Sequence, residues 1–135
     1  MSKAEARQKT VRHWWKMAEE TLQSARTEYE AGLLHGAINR AYYAVFYAAT
    51  ALLVERGLHF KKHAGVRAAL HRELIKTGVL VAEMGALYDR LFADRQRGDY
   101  LVLTEFEPEY VGEKVESAAT FLGAIRPLLA SLEAP

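Results

Sequence analysis

A short polar segment in the last third of the chain combines the residue types that bind anions. It reads Asp94-Arg95-Gln96-Arg97-Gly98-Asp99-Tyr100. Helical periodicity places Arg95 on an inward, apolar stripe, and Arg97 on a wetter face with Asp94. An inward arginine needs a partner because an unpaired buried charge is costly. That partner is either Asp99, four residues on, or an external anion such as a phosphate, which a guanidinium can hold through two nitrogens.

A second polar strip lies in an otherwise apolar segment. Asn39 precedes Arg40, and Arg40, Tyr43 and Tyr47 follow one another at steps of three and four residues. One guanidinium, one amide and two phenols inside a core helix indicate either a cleft or a hydrogen-bond network that sets helix packing, with Arg40 bound to Asp99 for example. Both interpretations stay open at this stage.

Several other chemistries lack their residues in this sequence. With no cysteine, disulfides, iron–sulfur clusters and cysteine nucleophiles are excluded. Phosphate-binding loops, dinucleotide-binding turns, the Gly-x-Ser-x-Gly elbow and Glu-x-x-His pairs of di-iron bundles do not occur. His59 and His63 have the spacing of a helical metal pair, but they fall at a loop–helix junction with no acidic ligand near them. We therefore expect no metal and no cofactor.

Helices must position these residues, because apolar side chains recur at steps of three and four. The pattern predicts a first helix with a stripe from Val11 to Tyr29, and further helices at about 34–56, 63–77 and 83–97. Gly98 is expected to end or distort the fourth helix, and 100–104 to be a buried connector rather than a strand. A fifth helix starts at Pro108, capped by Thr104 or Glu107, and kinks near Pro127.

Two adjacent tryptophans in the first helix are assigned different environments. Trp14 lies on the apolar stripe and is expected in the core. Trp15 lies about 100° round the helix, and we expect it at a subunit interface or on the rim of the core.

Composition agrees with an all-α, up-and-down bundle of about five helices. The 135 residues are 50% hydrophobic with a net charge of +1, which predicts one domain over 1–135, with a core of about 12–130 and a flexible segment 1–10. The longest uncharged run, 41–54, is shorter than the ~20 apolar residues that span a membrane. With no signal peptide evident, the expected location is the cytoplasm.

Three motifs in order carry a resemblance to a known family. They are Asn39-Arg40-Ala41-Tyr42-Tyr43-Ala44-Val45-Phe46-Tyr47-Ala48-Ala49, then Lys61-Lys62-His63-Ala64-Gly65-Val66, then Arg95-Gln96-Arg97-Gly98-Asp99-Tyr100. The sequence resembles the HEPN domain family, above all its small stand-alone prokaryotic members, over about 12–130. The resemblance implies a helical bundle that forms homodimers and is often encoded beside a minimal nucleotidyltransferase in a toxin–antitoxin pair. It also implies metal-independent ribonuclease activity in members whose Arg-x(4–6)-His motifs face each other across the dimer.

This sequence departs from that motif at its histidine. Five residues after Arg95 stands Tyr100, and no histidine follows His71. Because histidine suits proton transfer near neutral pH and an unperturbed tyrosine, with a pKa of about 10, does not, phosphate binding is better supported than catalysis. His63 is the one histidine placed to substitute from across the cleft.

The sequence therefore predicts a cleft that binds nucleotide or RNA phosphates, in the toxin-like or regulated half of a nucleotidyltransferase pair. The residues assigned to it are Arg95 and Tyr100 as catalytic candidates, and Asn39, Arg40, Tyr43, Tyr47, His63, Arg97 and Asp99 as ligand-binding candidates. Two alternatives remain: a weak ribonuclease with Arg95 as the clamp on the transition state, and a non-catalytic module that docks a partner protein. In a variant of the first hypothesis, Tyr100 accepts a nucleotidyl group from the partner.

Overall fold

The computed structural model describes residues 1–100 and 105–133, and of Tyr100 only the backbone. Helices build all of the regular structure in these residues, as the periodicity predicted. The α-helices are α1 (Lys3–Glu30), α2 (Leu34–Glu55), α3 (His63–Ala69), α4 (Ala82–Tyr100) and α5 (Pro108–Ile125). A π-helical segment, Leu70–Ile75, follows α3, and two short 3-10 turns, Arg126–Leu128 and Ala130–Leu132, follow α5.

Helix α2 forms the centre of the bundle and packs against α1, α4 and α5. Small residues let the neighbouring helices approach, since five alanines between Ala37 and Ala49 are fully buried along α2. Larger side chains such as Ile38, Tyr42 and Leu52 fill the space between the helices. The polar strip predicted on α2 therefore lies on a helix that is buried on most of its other sides.

Helix α1 begins well before its first stripe residue. Ser2 caps it: the Ser2 hydroxyl accepts a hydrogen bond from the Glu5 N–H, and the Glu5 carboxylate accepts one from the Ser2 N–H. This capping box satisfies amides that the first helical turn leaves without partners. Residues 3–10, for which the sequence predicted flexibility, are helical.

The expectation for the two tryptophans is wrong. Trp15 is 5% exposed and belongs to the core, whereas Trp14 is only partly buried and stacks on Tyr47, with ring centroids 5.6 Å apart. From Val11, steps of three and four residues both stay on one helix face. The packing of α1 on α2 selects the step of four.

The third and fourth helices depart from their predicted bounds. The α-helix that starts at His63 changes after Ala69 into the π-helical segment, and the chain then turns at Gly78, whose φ is +81°. Gly98 does not end α4, because the helix continues to Tyr100. A Cβ at Gly98 would lie 3.3 Å from the Phe106 ring, so glycine serves the close approach of that ring. Residues 101–104 of the expected connector lie outside the described residues.

Helix α5 begins where the sequence predicted, with Pro108 in its first turn and Glu107 at the cap position. It ends at Ile125, and Pro127 lies in the 3-10 turn that follows, which replaces the expected kink. Gly112 lets α5 approach α1: a Cβ there would lie 2.7 Å from the Tyr29 hydroxyl.

Candidate functional site

Arg95 lies near the end of α4 among aromatic rings of α2. Its side chain is 14% exposed, and its Nε lies 3.2 Å from an Asp99 carboxylate oxygen, one turn on. The guanidinium carbon lies 5.1 Å from the centroid of the Tyr42 ring and 5.7 Å from that of Tyr43. The inward direction predicted for Arg95 is thus confirmed, and its partners are a carboxylate and the faces of two rings.

His63, the first residue of α3, contacts both Arg95 and Tyr42. Its Nδ1 lies 2.8 Å from the Tyr42 hydroxyl oxygen and 3.4 Å from a terminal nitrogen of Arg95. The imidazole stacks on Phe46, with centroids 4.2 Å apart. Three helices therefore bring together a guanidinium, an imidazole and a phenol. We call Arg95, His63, Tyr42, Tyr43 and Asp99 the Arg95 cluster.

The contacts of His63 determine which of its nitrogens carries the proton. Burial, reinforced by the Arg95 charge, lowers the pKa of His63, which favours the neutral ring at pH 7. Burial raises the pKa of Tyr42, so this hydroxyl stays protonated and can donate to Nδ1. The guanidinium also donates, because arginine keeps its protons in proteins. With Nδ1 accepting from both, we assign the proton of the neutral imidazole to Nε2.

Asn39 and Arg40 are separate from the Arg95 cluster. Arg40 is exposed, and its guanidinium donates to the side-chain oxygen of its neighbour Asn39 at 3.0 Å. Arg40 also lines a cavity of about 300 Å³ together with Tyr43 and Tyr47. Because Asp99 pairs with Arg95, the network that would join Arg40 to Asp99 does not form. Tyr43 contacts both places: it borders the Arg40 cavity and lies under Arg95.

Arg97 lies on another face of α4, against α5 and the segment that precedes it. Its guanidinium carbon is 5.3 Å from the Phe106 ring centroid, and its nearest carboxylate oxygen, on Asp94, is 3.9 Å away. The wet environment predicted for Asp94 is wrong: this residue is 0% exposed and accepts a 2.5 Å hydrogen bond from the Tyr110 hydroxyl. Tyr110, which is not in the predicted site, covers Asp94 from α5. Arg97 and Arg95 therefore do not share one surface.

Sequence reasoning assigned Tyr42 to the core and missed its hydroxyl as a partner of His63. Its position inside the first resemblance motif, between Arg40 and Tyr43, was the one available signal. The side chain of Tyr100 lies outside the described residues. Within the described residues no three acidic or histidine side chains form a group that could hold a metal ion. Nor is any helix there long and apolar enough to cross a bilayer.

Comparison with known proteins identifies the family. The HEPN domain profile matches residues 11–128. A UPF0332 protein of Thermotoga maritima is 43% identical over 127 residues, which cover 94% of this chain and 96% of that protein. Two Methanocaldococcus jannaschii proteins, named "Putative toxin MJ0605" and "Putative toxin MJ0142", are 33% and 30% identical. Each match covers 84% of this chain, and they cover 84% and 78% of the two relatives.

The profile spans most of the helical bundle, including the three motifs that carry the resemblance and the whole of the Arg95 cluster. The similarity to the Thermotoga maritima protein extends over nearly the full length of both chains. The chain belongs to the HEPN domain family.

Proposed function

We propose that this chain is a toxin-like HEPN protein that binds phosphate groups of RNA or of a nucleotide at the Arg95 cluster. The observation that carries the proposal is the meeting of the Arg95 guanidinium with His63 over the Tyr42 ring. Two relatives similar over most of this chain carry the name "Putative toxin". A guanidinium beside aromatic faces offers charge for a phosphate and a surface on which a base can stack.

The Arg95 cluster can exchange its own carboxylate for a phosphate. Asp99 pairs with Arg95 through Nε, and the Asp99 side chain is 39% exposed. Because the Asp99 carboxylate reaches solvent, it can turn away into water and leave the guanidinium to a phosphate, which restores the negative charge beside Arg95. His63, with its proton on Nε2, offers a ligand a further hydrogen-bond donor, since Nδ1 is the nitrogen that contacts Tyr42 and Arg95. The little-exposed side chain of Arg95 limits the competition from water.

The test is a fluorescence-anisotropy titration of a labelled single-stranded oligoribonucleotide at low salt. We expect Arg95→Ala to weaken binding at least tenfold, because the guanidinium is the central cation of the cluster. Arg126→Ala is the matched control: Arg126 is an exposed arginine whose ion pair with Glu133 is 4.0 Å long. It removes the same charge from the 3-10 turn that follows α5.

Equal binding by wild type, Arg95→Ala and Arg126→Ala would refute the proposal. Thermal melts must accompany the titration, because Arg95 is largely buried and its loss can affect folding. If Arg95→Ala melts well below wild type, Arg95→Lys gives the second measurement, since it keeps the charge and loses the planar fork. Unchanged binding by that variant would also count against a bidentate phosphate contact.

A metal-independent ribonuclease is the second candidate, and the position of His63 favours it. The family motif pairs an arginine with a histidine, and here His63 reaches Arg95 from another helix. We rank catalysis second because Nδ1 of His63 already accepts hydrogen bonds. The neutral imidazole then has a proton to donate from Nε2, but it has no lone pair with which to take the proton of the RNA 2′-hydroxyl. RNA degradation measured in chelator, and abolished by both Arg95→Ala and His63→Gln, would reverse this order.

The proposal includes the assembly that the family resemblance implies, a homodimer with a nucleotidyltransferase partner. Sedimentation of the purified chain tests the dimer, and co-purification with a nucleotidyltransferase encoded next to it tests the partner. Incubation of both proteins with ATP, followed by mass spectrometry, tests whether Tyr100 accepts a nucleotidyl group. If the chain is a monomer, captures no such partner and gains no mass, the dimer, the partner and the modification of Tyr100 are all refuted. RNA binding is then judged by the titration alone.

A further inference from the structure

A second polar cluster lies beyond the Arg95 cluster, between α3, the π-helical segment and α4. One Asp89 carboxylate oxygen accepts hydrogen bonds from Arg67 Nε at 2.8 Å and from His71 Nε2 at 2.9 Å. These bonds, working against partial burial, lower the pKa of Asp89 and keep it ionised at neutral pH. We propose that this Arg67–Asp89–His71 cluster is a second phosphate site for the same RNA strand. This inference rests on the proposed function.

Arg67 is held in place for a ligand. The hydrogen bond to Asp89 uses Nε, so it does not occupy the two terminal nitrogens that form a bidentate fork for phosphate. The guanidinium carbon lies 4.7 Å from the centroid of the Phe92 ring. A carboxylate on one edge and a ring under one face hold the plane of the group. Binding then costs less side-chain entropy than it would for a freely rotating arginine.

His71 binds the same Asp89 oxygen as Arg67. A Cβ at Gly85 would lie 2.9 Å from His71 Cε1, so the imidazole packs directly on the backbone of α4. His71 is the second residue of the π-helical segment, and such segments are frequent at functional sites. We assign His71 as a positioning residue, which fixes the carboxylate that orients Arg67.

The cluster opens onto a cavity with room for a ligand. The cavity measures about 440 Å³, and Ala64, Ala68 and Phe92 line it with the three residues of the cluster. The Arg67 side chain is 41% exposed and the Asp89 side chain 34%, so water and solutes reach both. An ion pair this exposed contributes little to stability. Stability alone therefore does not account for an arrangement in which a carboxylate, an imidazole and a ring all act on one arginine.

The position of the cluster next to the Arg95 cluster points to one continuous ligand. Arg67 is one helical turn beyond His63, and residues at that spacing are about 5–6 Å apart at Cβ. Phe92, which lies under Arg67, packs edge-on against Tyr42, with centroids 5.8 Å apart, and Tyr42 lies under Arg95. Two guanidiniums thus lie against two touching rings, an arrangement that suits successive phosphates of a single strand with unstacked bases.

The experiment compares a mononucleotide with a single-stranded oligoribonucleotide over a range of salt concentrations. For a single strand, each phosphate that the protein neutralises adds about 0.7 to the steepness of log K against log salt. We expect Arg67→Ala to reduce the oligoribonucleotide slope by about that amount, to weaken its binding severalfold, and to leave mononucleotide binding unchanged. The matched control is Arg72→Ala. Arg72 is one residue beyond His71 and donates to Glu73 through Nε at 2.9 Å.

The outcomes separate this inference from the proposed function. If Arg67→Ala gives the same slope and affinity as Arg72→Ala while Arg95→Ala abolishes binding, the second site is refuted and the first stands. If wild type does not bind the oligoribonucleotide at all, both fall. Asp89→Asn tests whether Asp89 orients Arg67. It keeps the side-chain volume and weakens the hydrogen bond to Arg67, so it should reproduce part of the loss of oligoribonucleotide affinity seen with Arg67→Ala. Unchanged affinity would refute the orienting role.

Discussion

Replacing Tyr110 with phenylalanine should destabilise the fold sharply, because it removes the hydroxyl from a buried carboxylate. Asp94 is 0% exposed, and one of its oxygens accepts the 2.5 Å hydrogen bond from Tyr110. The other oxygen makes no hydrogen bond within the described residues, and the nearest cationic nitrogen, on Arg97, is 3.9 Å from it. Without Tyr110 the carboxylate keeps only that distant partner. Since α4 carries both Asp94 and Arg95, this contact also helps to hold the site.

The size of the loss follows from the charge and the burial of Asp94. A hydrogen bond to a charged group contributes about 1.5–3 kcal/mol, and a buried acceptor left without a donor incurs its full desolvation cost. We therefore expect the free energy of unfolding to fall by about 2–3 kcal/mol. For a chain of this size that corresponds to a melting temperature lower by roughly 10 °C.

Urea unfolding at pH 7, followed by circular dichroism, measures this loss. Tyr29→Phe is the control, because the Tyr29 hydroxyl lies against the backbone of Gly112 and not beside a buried carboxylate, and its loss should change stability by less than about 0.5 kcal/mol. A double-mutant cycle with Asp94→Leu should show strong coupling, since Tyr110→Phe costs little once the carboxylate is gone. A loss no larger than that of Tyr29→Phe would show that the Tyr110 hydroxyl does not stabilise Asp94, and the reasoning would be wrong.

Three further predictions concern proton affinities and helix contacts. Arg95→Ala should raise the pKa of His63, measured by NMR titration, because it removes the positive charge that helps to lower it; an unchanged pKa would mean that the contact is not formed in solution. Burial, with the bond to Asp94, raises the pKa of Tyr110 to about 12, above its unfolded value of about 10. Its contribution to stability is therefore complete below pH 10 and lost as pH rises towards 12, so wild type should lose unfolding free energy there more steeply than Tyr110→Phe. Gly123→Ala, on the open face of α5, should raise the free energy of unfolding by up to about 1 kcal/mol. Gly112→Ala should raise it less, or lower it, because the new methyl group meets the tyrosine hydroxyl of α1. Equal effects of the two variants in urea unfolding would contradict that close approach.

Local pattern predicted the helices well and failed where packing chooses between equivalent options. Trp14 and Trp15 both fit the stripe that starts at Val11, and the contact with α2 decides which one is buried. Asp94 was placed on a wet face because its neighbours along α4 are polar, yet Tyr110 from α5 covers it. In each case the residue's burial is set by a contact with another helix, and the pattern within a single helix contains no information about that contact.

The candidate site was predicted in part, and the rest depended on distant pairs. The inward direction of Arg95 and its pairing with Asp99 follow from helical spacing within α4. The meeting of Arg95 with His63 joins residues 32 positions apart, and no periodicity encodes it. Helical spacing also placed Arg97 and Arg95 on different faces of α4, as the structure has them, although both residues were assigned to one cleft.

By itself, the sequence determined the number and approximate extent of the helices, the absence of cysteine chemistry and the family to which the chain belongs. These properties depend on residue types, short spacings and motifs, which can be read without knowing any tertiary contact. The tertiary structure alone decided which polar side chains meet: His63 with Arg95, Asp94 with Tyr110, and Asp89 with Arg67 and His71. The physical reason is that helix packing sets the rotation and depth of each helix, and only a whole core determines these.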